Sequence, residues 1–547
     1  MSGIMSDKSE QDHLVNTANS GRQAQNQSAG IFKNALKMAF GTMTSRILGL
    51  VRESLFAALF DKRITDAWNV AFRIPNLFRR LLGEGSLSVS FIPVFIDADR
   101  ESKVRSQNLV NSLYTILLMI LTVLTTLGVL FPEFFLQLAL DPKYIADIEK
   151  YQLTVHLSRI MFLFIFFISS FAFFMGILNS LGQFFWPAIA PTFWNLVMVV
   201  STLWPKSWLT EDHIKYGDQL AWGVVIGGFF QAAVLVPSLI KSGYFPKIKF
   251  DFKNPDTLAV LKNMIPGLIG TGLLQFMTIV NIRFSSSFPE GTISFINYVD
   301  RLIELPLSLI SVSLGTALLP ALSKLWNQNN KSEMATTSRR YLELNLFVSI
   351  AAAAGLYALA EPIIQLLFGR GKFSAADVIV SSQILKTYCW IMIFVSGIRV
   401  LTPAYFAVKN TWFPMVTSAA AMVMHLILAP ILIGHFSVHG LMMSTILSSA
   451  LNMGCLLFFY QIFICEFKYV GFFVNVIKFS VAGVAVYFSA QIFYVLSAHL
   501  PDGFWGLLLG LLITALIAGI VFVVAAQILG VNEIQNLVRK VFKRRAA

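Results

Sequence analysis

Charge is scarce in this chain. Of 547 residues only 13% are Asp, Glu, Lys or Arg, about half the share of an average soluble protein. Cysteine is scarcer still. Cys389, Cys455 and Cys465 lie in or beside apolar stretches. Their odd number and their spacing rule out a disulfide framework and a cysteine metal site, so they read as packing residues. The chain has no Walker A loop, no nucleophile elbow and no zinc motif, which argues against ATP hydrolysis and the commoner hydrolytic chemistries. Its seven histidines are scattered and form no ligand set. No metal and no cofactor are expected, and the chain is not expected to be an enzyme. The first 30 residues lack the short apolar core and small-residue cleavage site of a signal peptide. Polar and rich in Ser, Asn and Gln, residues 1–31 read as a disordered cytoplasmic tail. Targeting would then rest on an uncut first span.

What fills the chain instead is apolar sequence, 56% of all residues. It comes in blocks of about 20 residues or more, long enough to cross a hydrocarbon core of about 30 Å. Residues 111–130 and 506–530 are clear examples. No soluble enzyme needs so many. We expect an all-α membrane protein with about fourteen transmembrane helices. Among them are spans over 65–95, 152–180, 258–284, 292–323 and 378–406.

The loops set the orientation. One set is basic: Arg100, Lys103 and Arg105, then Lys241, Lys247, Lys249 and Lys253, then Lys324, Lys331, Arg339 and Arg340, and finally the tail from Arg539 to Arg545. In the stretch 133–150, Lys143 and Lys150 are balanced by Glu133, Asp141, Asp147 and Glu149. Lys and Arg gather on cytoplasmic loops. Both termini are therefore expected in the cytoplasm, and the net charge of +13 needs no nucleic-acid partner. Trp204 and Tyr244, near span ends, read as interfacial anchors.

A repeat organises the spans. The segment 88–94 (SVSFIPV) resembles 315–321 (GTALLPA), and 181–187 (LGQFFWP) resembles 408–414 (VKNTWFP). Pro93 matches Pro320 and Pro187 matches Pro414, each pair at the same offset. The shift is six spans, an even number, so the two copies point the same way. Such parallel halves let a transporter rock about a central site. The domains expected are an N-lobe over 32–240, a C-lobe over 258–464, two added spans over 471–530, and a basic cytoplasmic tail over 531–547. The lobes are pseudo-symmetric and have six helices each.

The functional signal is charge inside the apolar spans. Span 1 (32–60) holds Arg46, Arg52 and Glu53. Span 2 (65–95) holds Arg73, Arg79, Arg80 and Glu84. Span 8 (292–323) holds Asp300, Arg301 and Glu304. Each ionisable group at mid-membrane costs at least about 2.5 kcal/mol, so such groups persist facing a wet cavity or one another. Six arginines stand against four carboxylates, which points to an anionic ligand. Arg80 with Glu84, and Arg301 with Glu304, are spaced to pair along one helix face. Arg46, Arg52 and Arg79 have no such partner in the sequence, and a guanidinium fork suits a phosphate or diphosphate. Snorkelling to headgroups or helix-locking ion pairs would also account for individual arginines. Pro75, Gly83, Pro266, Pro306 and Pro320 interrupt spans as hinges or packing features.

Several strings together carry a family resemblance: 45–53 (SRILGLVRE), 65–75 (TDAWNVAFRIP), 76–80 (NLFRR), 84–90 (EGSLSVS), 91–95 (FIPVF), 177–191 (ILNSLGQFFWPAIAP), 298–306 (YVDRLIELP) and 314–324 (LGTALLPALSK). They strongly resemble the MurJ (MviN) lipid II flippases, over about residues 31–530. That family belongs to the multidrug/oligosaccharidyl-lipid/polysaccharide exporter superfamily. The resemblance implies fourteen helices in two lobes, with the last two forming a lipid-tail groove. It implies export of the undecaprenyl-pyrophosphate-linked peptidoglycan precursor by alternating access in the bacterial inner membrane, hence a part in cell-wall biogenesis and cell shape. Arg46, Arg52 and Arg301 match essential cavity arginines of the family, and Arg79 a further conserved arginine. Asp66 and Glu84 match acidic positions, and Glu53 stands where many members have Asp. The substrate-binding set expected is therefore Arg46, Arg52, Arg79, Arg301, Glu53, Asp66, Glu84, Asp300 and Glu304. The partners implied are lipid II, membrane lipids and the cell-wall synthesis machinery.

Besides Glu53, the chain departs from the family at two positions. Some members bind sodium through an Asp of span 7 (258–284), where this chain has Asn281, and Asn410 stands where an Asp is common near the start of span 11 (412–434). The resemblance therefore does not carry sodium coupling over, and membrane potential alone would suffice. Rival readings remain. A flippase for another undecaprenyl-linked glycan would use the same arginines. A drug or cation antiporter would want acidic cavity residues. A membrane glycosyltransferase would want a catalytic acid on a large external loop, and a scaffold would need no intramembrane arginine.

Overall fold

The computed structural model describes residues 41, 43–80, 86–205 and 217–530. Glu84 and both tails, two of the expected domains among them, lie outside the described residues. Among the described residues the ordered elements are helices, and no strand occurs. Among the described residues seven helices are long and apolar enough to cross a membrane, and nine if two bent pairs each count as one span. The protein is thus an all-α, multi-pass membrane protein, and the expected fourteen goes beyond this count.

The expected span over 65–95 consists of two helices, Lys62–Arg79 and Ser86–Glu101. Each keeps a proline inside, Pro75 and Pro93. The spans over 152–180 and 378–406 are bent pairs. Ile148–Met161 joins Phe164–Ser180 at 42°, and Ala375–Tyr388 joins Ile391–Ala407 at 43°. The stretch 133–150 is itself helical in part, over Pro132–Ala139 and Pro142–Ala146, the second capped by Asp141.

The described residues fall into two compact units. The first comprises residues up to Arg52, Ile74–Pro132 and Leu157–Thr271. Its tightest packing sets Phe185–Thr202 and Phe164–Ser180 against Asp218–Ala233. Glycines make the approach possible. A Cβ on Gly223 would lie 2.2 Å from Ser201 Oγ, and one on Gly227 would lie 2.7 Å from Trp194 Cδ1. Small residues four apart are the usual way for membrane helices to come close. Aromatic contacts of Phe91 with Phe95 and Phe173, and of Phe95 with Tyr244, fill the neighbouring core. Tyr244 is buried in that core and its hydroxyl donates to Asp99. It is not an interfacial anchor: the partner acid lies 145 residues away, beyond any local reading.

The second unit comprises Glu53–Arg73, Glu133–His156 and the residues from Gly272 onward. Thr292–Asn327 is its longest helix, 36 residues or about 54 Å at 1.5 Å per residue. Lys331–Ala358 packs on Tyr469–Ala490, which packs in turn on Phe504–Ile528. Leu342, Leu346, Tyr405, Phe472 and Phe479 are buried in the shared core. Gly483 lets the first two of these helices approach, since a Cβ there would lie 2.9 Å from Ile350 Cγ2.

Candidate functional site

In the first unit, residues 43–52 are helical and present Arg52 to the Phe185–Thr202 helix. Arg52 is only 4% exposed. Its Nη1 donates to Asn195 Oδ1 at 3.1 Å, and its guanidinium carbon lies 4.6 Å from the Trp194 ring centre. Asn195 is itself held in place. Its Nδ2 donates to the Ser45 carbonyl at 3.0 Å and to the Pro191 carbonyl at 3.2 Å. An aromatic face and a neutral amide thus help to orient the guanidinium. Arg46 and Arg79 are half-buried. Arg79 Nε donates to Asn76 Oδ1 at 2.7 Å. Asn195, Trp194 and Asn76 were not singled out from sequence. Neutral partners leave no charge signature, and Asn195 stands 143 residues from the arginine it orients.

In the second unit, the Thr292–Asn327 helix carries Asp300, Arg301 and Glu304. Arg301 Nη1 donates to Glu304 Oε2 at 3.2 Å, and Arg301 Nε lies 4.0 Å from Glu53 Oε1. The spacing of Arg301 and Glu304 had indicated the first pair; the second spans distant sequence. Glu53 is 2% exposed, but the Arg301 side chain is 45% exposed. Asp300 is half-buried, with Arg73 and Glu304 among its charged neighbours. A half-exposed guanidinium in a membrane protein needs water or a polar ligand beside it. This one is anchored on acids at one side and accessible at the other.

Asp66 is placed otherwise. It is fully buried. Its Oδ2 accepts from Lys150 Nζ at 3.0 Å and from the Gly291 N–H at 2.7 Å. Its Oδ1 accepts from the Ser294 N–H at 3.0 Å and from Ser294 Oγ at 2.8 Å. Gly291 is the N-cap of the Thr292–Asn327 helix and has no side chain to cap with. Asp66 therefore caps that helix from another element, where orphan N–H groups and the helix dipole both favour a carboxylate. Around it the start of the Lys62–Arg79 helix is tied down further. Arg63 reaches Glu149 at 2.5 Å and Asp147 and Glu290 at 3.3 Å each. Lys62 pairs with Asp377 at 2.9 Å. Asp377 also accepts from the Ser374 N–H at 2.9 Å and from Ser374 Oγ at 2.8 Å. Asp147 and Glu149, read from sequence only as charge balance, thus act as anchors.

Asn281, the departure noted above, accepts through Oδ1 from His425 Nε2 at 3.0 Å, and His425 Nδ1 meets Ser444 Oγ at 3.2 Å. His425 is fully buried. Among the described residues no group of His, Cys, Asp and Glu could hold a metal ion.

Comparison with known proteins gives this geometry a context. The family model described as "Lipid II flippase MurJ" matches residues 55–514. A probable lipid II flippase MurJ of Bdellovibrio bacteriovorus is 45% identical over 93% of this chain and 97% of its own length. A solved lipid II flippase MurJ in an inward closed conformation has a TM-score of 0.73 at 26% identity, over 90% of this chain and 99% of that one. An inward-facing multidrug resistance MATE transporter shares the fold at a TM-score of 0.63 and 12% identity, over 82% of this chain and 98% of that one. A family match over most of the length, with a relative this similar, settles membership: the chain belongs to the lipid II flippase MurJ family.

Proposed function

We propose that this protein carries lipid II, the undecaprenyl-pyrophosphate-linked disaccharide peptide, from the inner to the outer leaflet of the bacterial cytoplasmic membrane by alternating access. The observation that carries the reading is the 45% identity along nearly the whole chain to a probable lipid II flippase. The reading includes both termini in the cytoplasm, which the basic loops support. It also includes two pseudo-symmetric lobes over 32–240 and 258–464, with residues 471–530 guiding the polyprenyl tail.

Arg46, Arg52, Arg79 and Arg301 are the proposed ligands of the diphosphate. Guanidinium forks match phosphate oxygens in geometry and stay charged throughout. Glu53 and Glu304 hold Arg301 while the site is empty, and Glu84 and Asp300 complete the proposed set. A diphosphate would compete for Arg301 most readily, because its nearest acids lie at 3.2 and 4.0 Å. Asp66 acts through the helix it caps: release of that cap would free the start of the Thr292–Asn327 helix to move. The chemistry is transport without covalent change, so no catalytic residue is assigned.

The test is depletion of the protein in its native cell, followed by assay of lipid II by amount and leaflet. Accumulated lipid II that reagents added outside cannot reach supports the reading. Lipid II that still reaches the outer leaflet at the normal rate, while another polyprenyl-linked glycan accumulates, would reassign the substrate.

A further inference from the structure

A second cationic site lies in the second unit, apart from Arg301 and Asp66. It is a cavity of about 790 Å³ between the first turns of the Lys331–Ala358 helix and the segment 461–468. Lys331, Arg339, Arg340 and Lys468 line it, against Glu343 and Glu466. Glu343 is buried and takes Arg339 Nε at 2.6 Å, so one of the two acids is already neutralised from within. The terminal nitrogens of Arg339 lie against Gly471, where a Cβ would come within 2.9 Å of Nη2. The absence of a side chain there makes room for the guanidinium. The Tyr469–Ala490 helix begins at the same spot, and its N-cap, Lys468, makes no side-chain cap. First-turn N–H groups add partial positive charge to the cavity.

Three independent features thus point the same way: a cavity of ligand size, an excess of two cations, and an uncapped helix start. The rim adds a fourth. Ile462 is 67% exposed and Val470 81% exposed, so apolar surface flanks the charged cavity.

We propose that this cavity binds a phosphate-bearing anion. The chemistry fits either the phosphodiester of an acidic phospholipid, with its chains along Ile462 and Val470, or soluble phosphate. The proposal stands apart from the transport reading and does not depend on which lipid is carried.

The test uses the full-length protein in neutral detergent, with native mass spectrometry as readout. The probes are phosphatidylglycerol, phosphatidylcholine and inorganic phosphate. Wild-type protein is expected to retain phosphatidylglycerol in preference to phosphatidylcholine. Arg340→Ala with Lys468→Ala should weaken that binding by on the order of tenfold, as expected for cations at an acidic lipid. Both side chains are exposed, so the fold should tolerate the change. Gly471→Val, which pushes Arg339 aside without altering charge, should weaken it too. A control pair, Lys241→Ala with Lys253→Ala, removes the same charge from exposed positions of the other unit and should leave binding unchanged. If inorganic phosphate displaces the lipid in wild type, soluble phosphate is a ligand of the same site; if it does not, the ligand is the headgroup. Equal retention by wild type and the cavity variants overturns the proposal. So does equal loss in the control pair, which would indicate diffuse attraction.

Discussion

Asp66 and Arg301 sit in the same unit, and both are charges within an apolar protein, yet they are treated in opposite ways. Asp66 is fully buried and receives four hydrogen bonds of 2.7 to 3.0 Å. Arg301 is 45% exposed, with carboxylates at 3.2 and 4.0 Å. Full satisfaction is what a structural latch requires, since a buried charge with a missing partner is severely destabilising. Incomplete satisfaction is what a binding group requires, because it keeps capacity for a ligand. Intramembrane charge alone therefore does not identify a substrate contact; the fraction of its bonding capacity already used does.

The largest effect should come from Arg301→Ala, which removes the accessible cation. Lipid II export should fall to background while the folded protein persists, and growth complementation with expression controls checks both. Arg301→Lys should restore only part of the activity, because an ammonium cannot replace the fork. Asp66→Ala should act through stability instead. It strips the cap of the Thr292–Asn327 helix and leaves Lys150, 7% exposed, without its carboxylate, at a cost of about 3–5 kcal/mol. Thermal unfolding in detergent would show this, and adding Lys150→Met should recover part of the loss.

A backbone contact in the same unit gives a smaller effect. Gly371 has φ +62°, and a Cβ there would lie 2.1 Å from the Ala58 carbonyl oxygen, while Lys372 N–H donates to that oxygen at 2.8 Å. Gly371→Ala should cost about 1–3 kcal/mol, read from the same unfolding curves. Arg52→Lys should cost about 1 kcal/mol by weakening the contact with Trp194.

The smallest effect concerns acid. Hydrogen bonds from Arg105 hold the Asp256 carboxyl below its ordinary range, against the opposing effect of burial. The bonds measure 2.6 and 2.8 Å. With the folded value depressed, this contribution is present above the unfolded carboxyl value of about 3.9. It is lost as pH falls through the folded one. Asp256→Asn should therefore lower stability near neutral pH and converge with wild type in acid, as a pH series of melting temperatures would show.

Much of this was legible in sequence. The helical membrane class followed from block length, the family from the strings around Arg46 to Phe95 and Asp300 to Lys324, and the Arg301–Glu304 pair from its spacing. What was not legible is what long-range contact decides. Asp66 was expected to bind substrate because its position matches a family acid, and nothing local shows that it caps a helix 225 residues away. Lys150 looked like a loop charge, and its burial against Asp66, 84 residues distant, has no sequence period. Asn195 and Trp194 carry no charge, so these partners of Arg52 were invisible to a search for opposite signs.

The contrast between Asp66 and Arg301 is tested most directly by reconstituting wild type, Arg301→Ala and Asp66→Ala into vesicles with lipid II in one leaflet. Translocation per folded molecule and melting temperature are then measured on the same preparations. The account predicts that Arg301→Ala melts near wild type and translocates nothing, and that Asp66→Ala melts far lower. If Arg301→Ala translocates lipid II at the wild-type rate, the accessible cation is not the substrate ligand and the account fails.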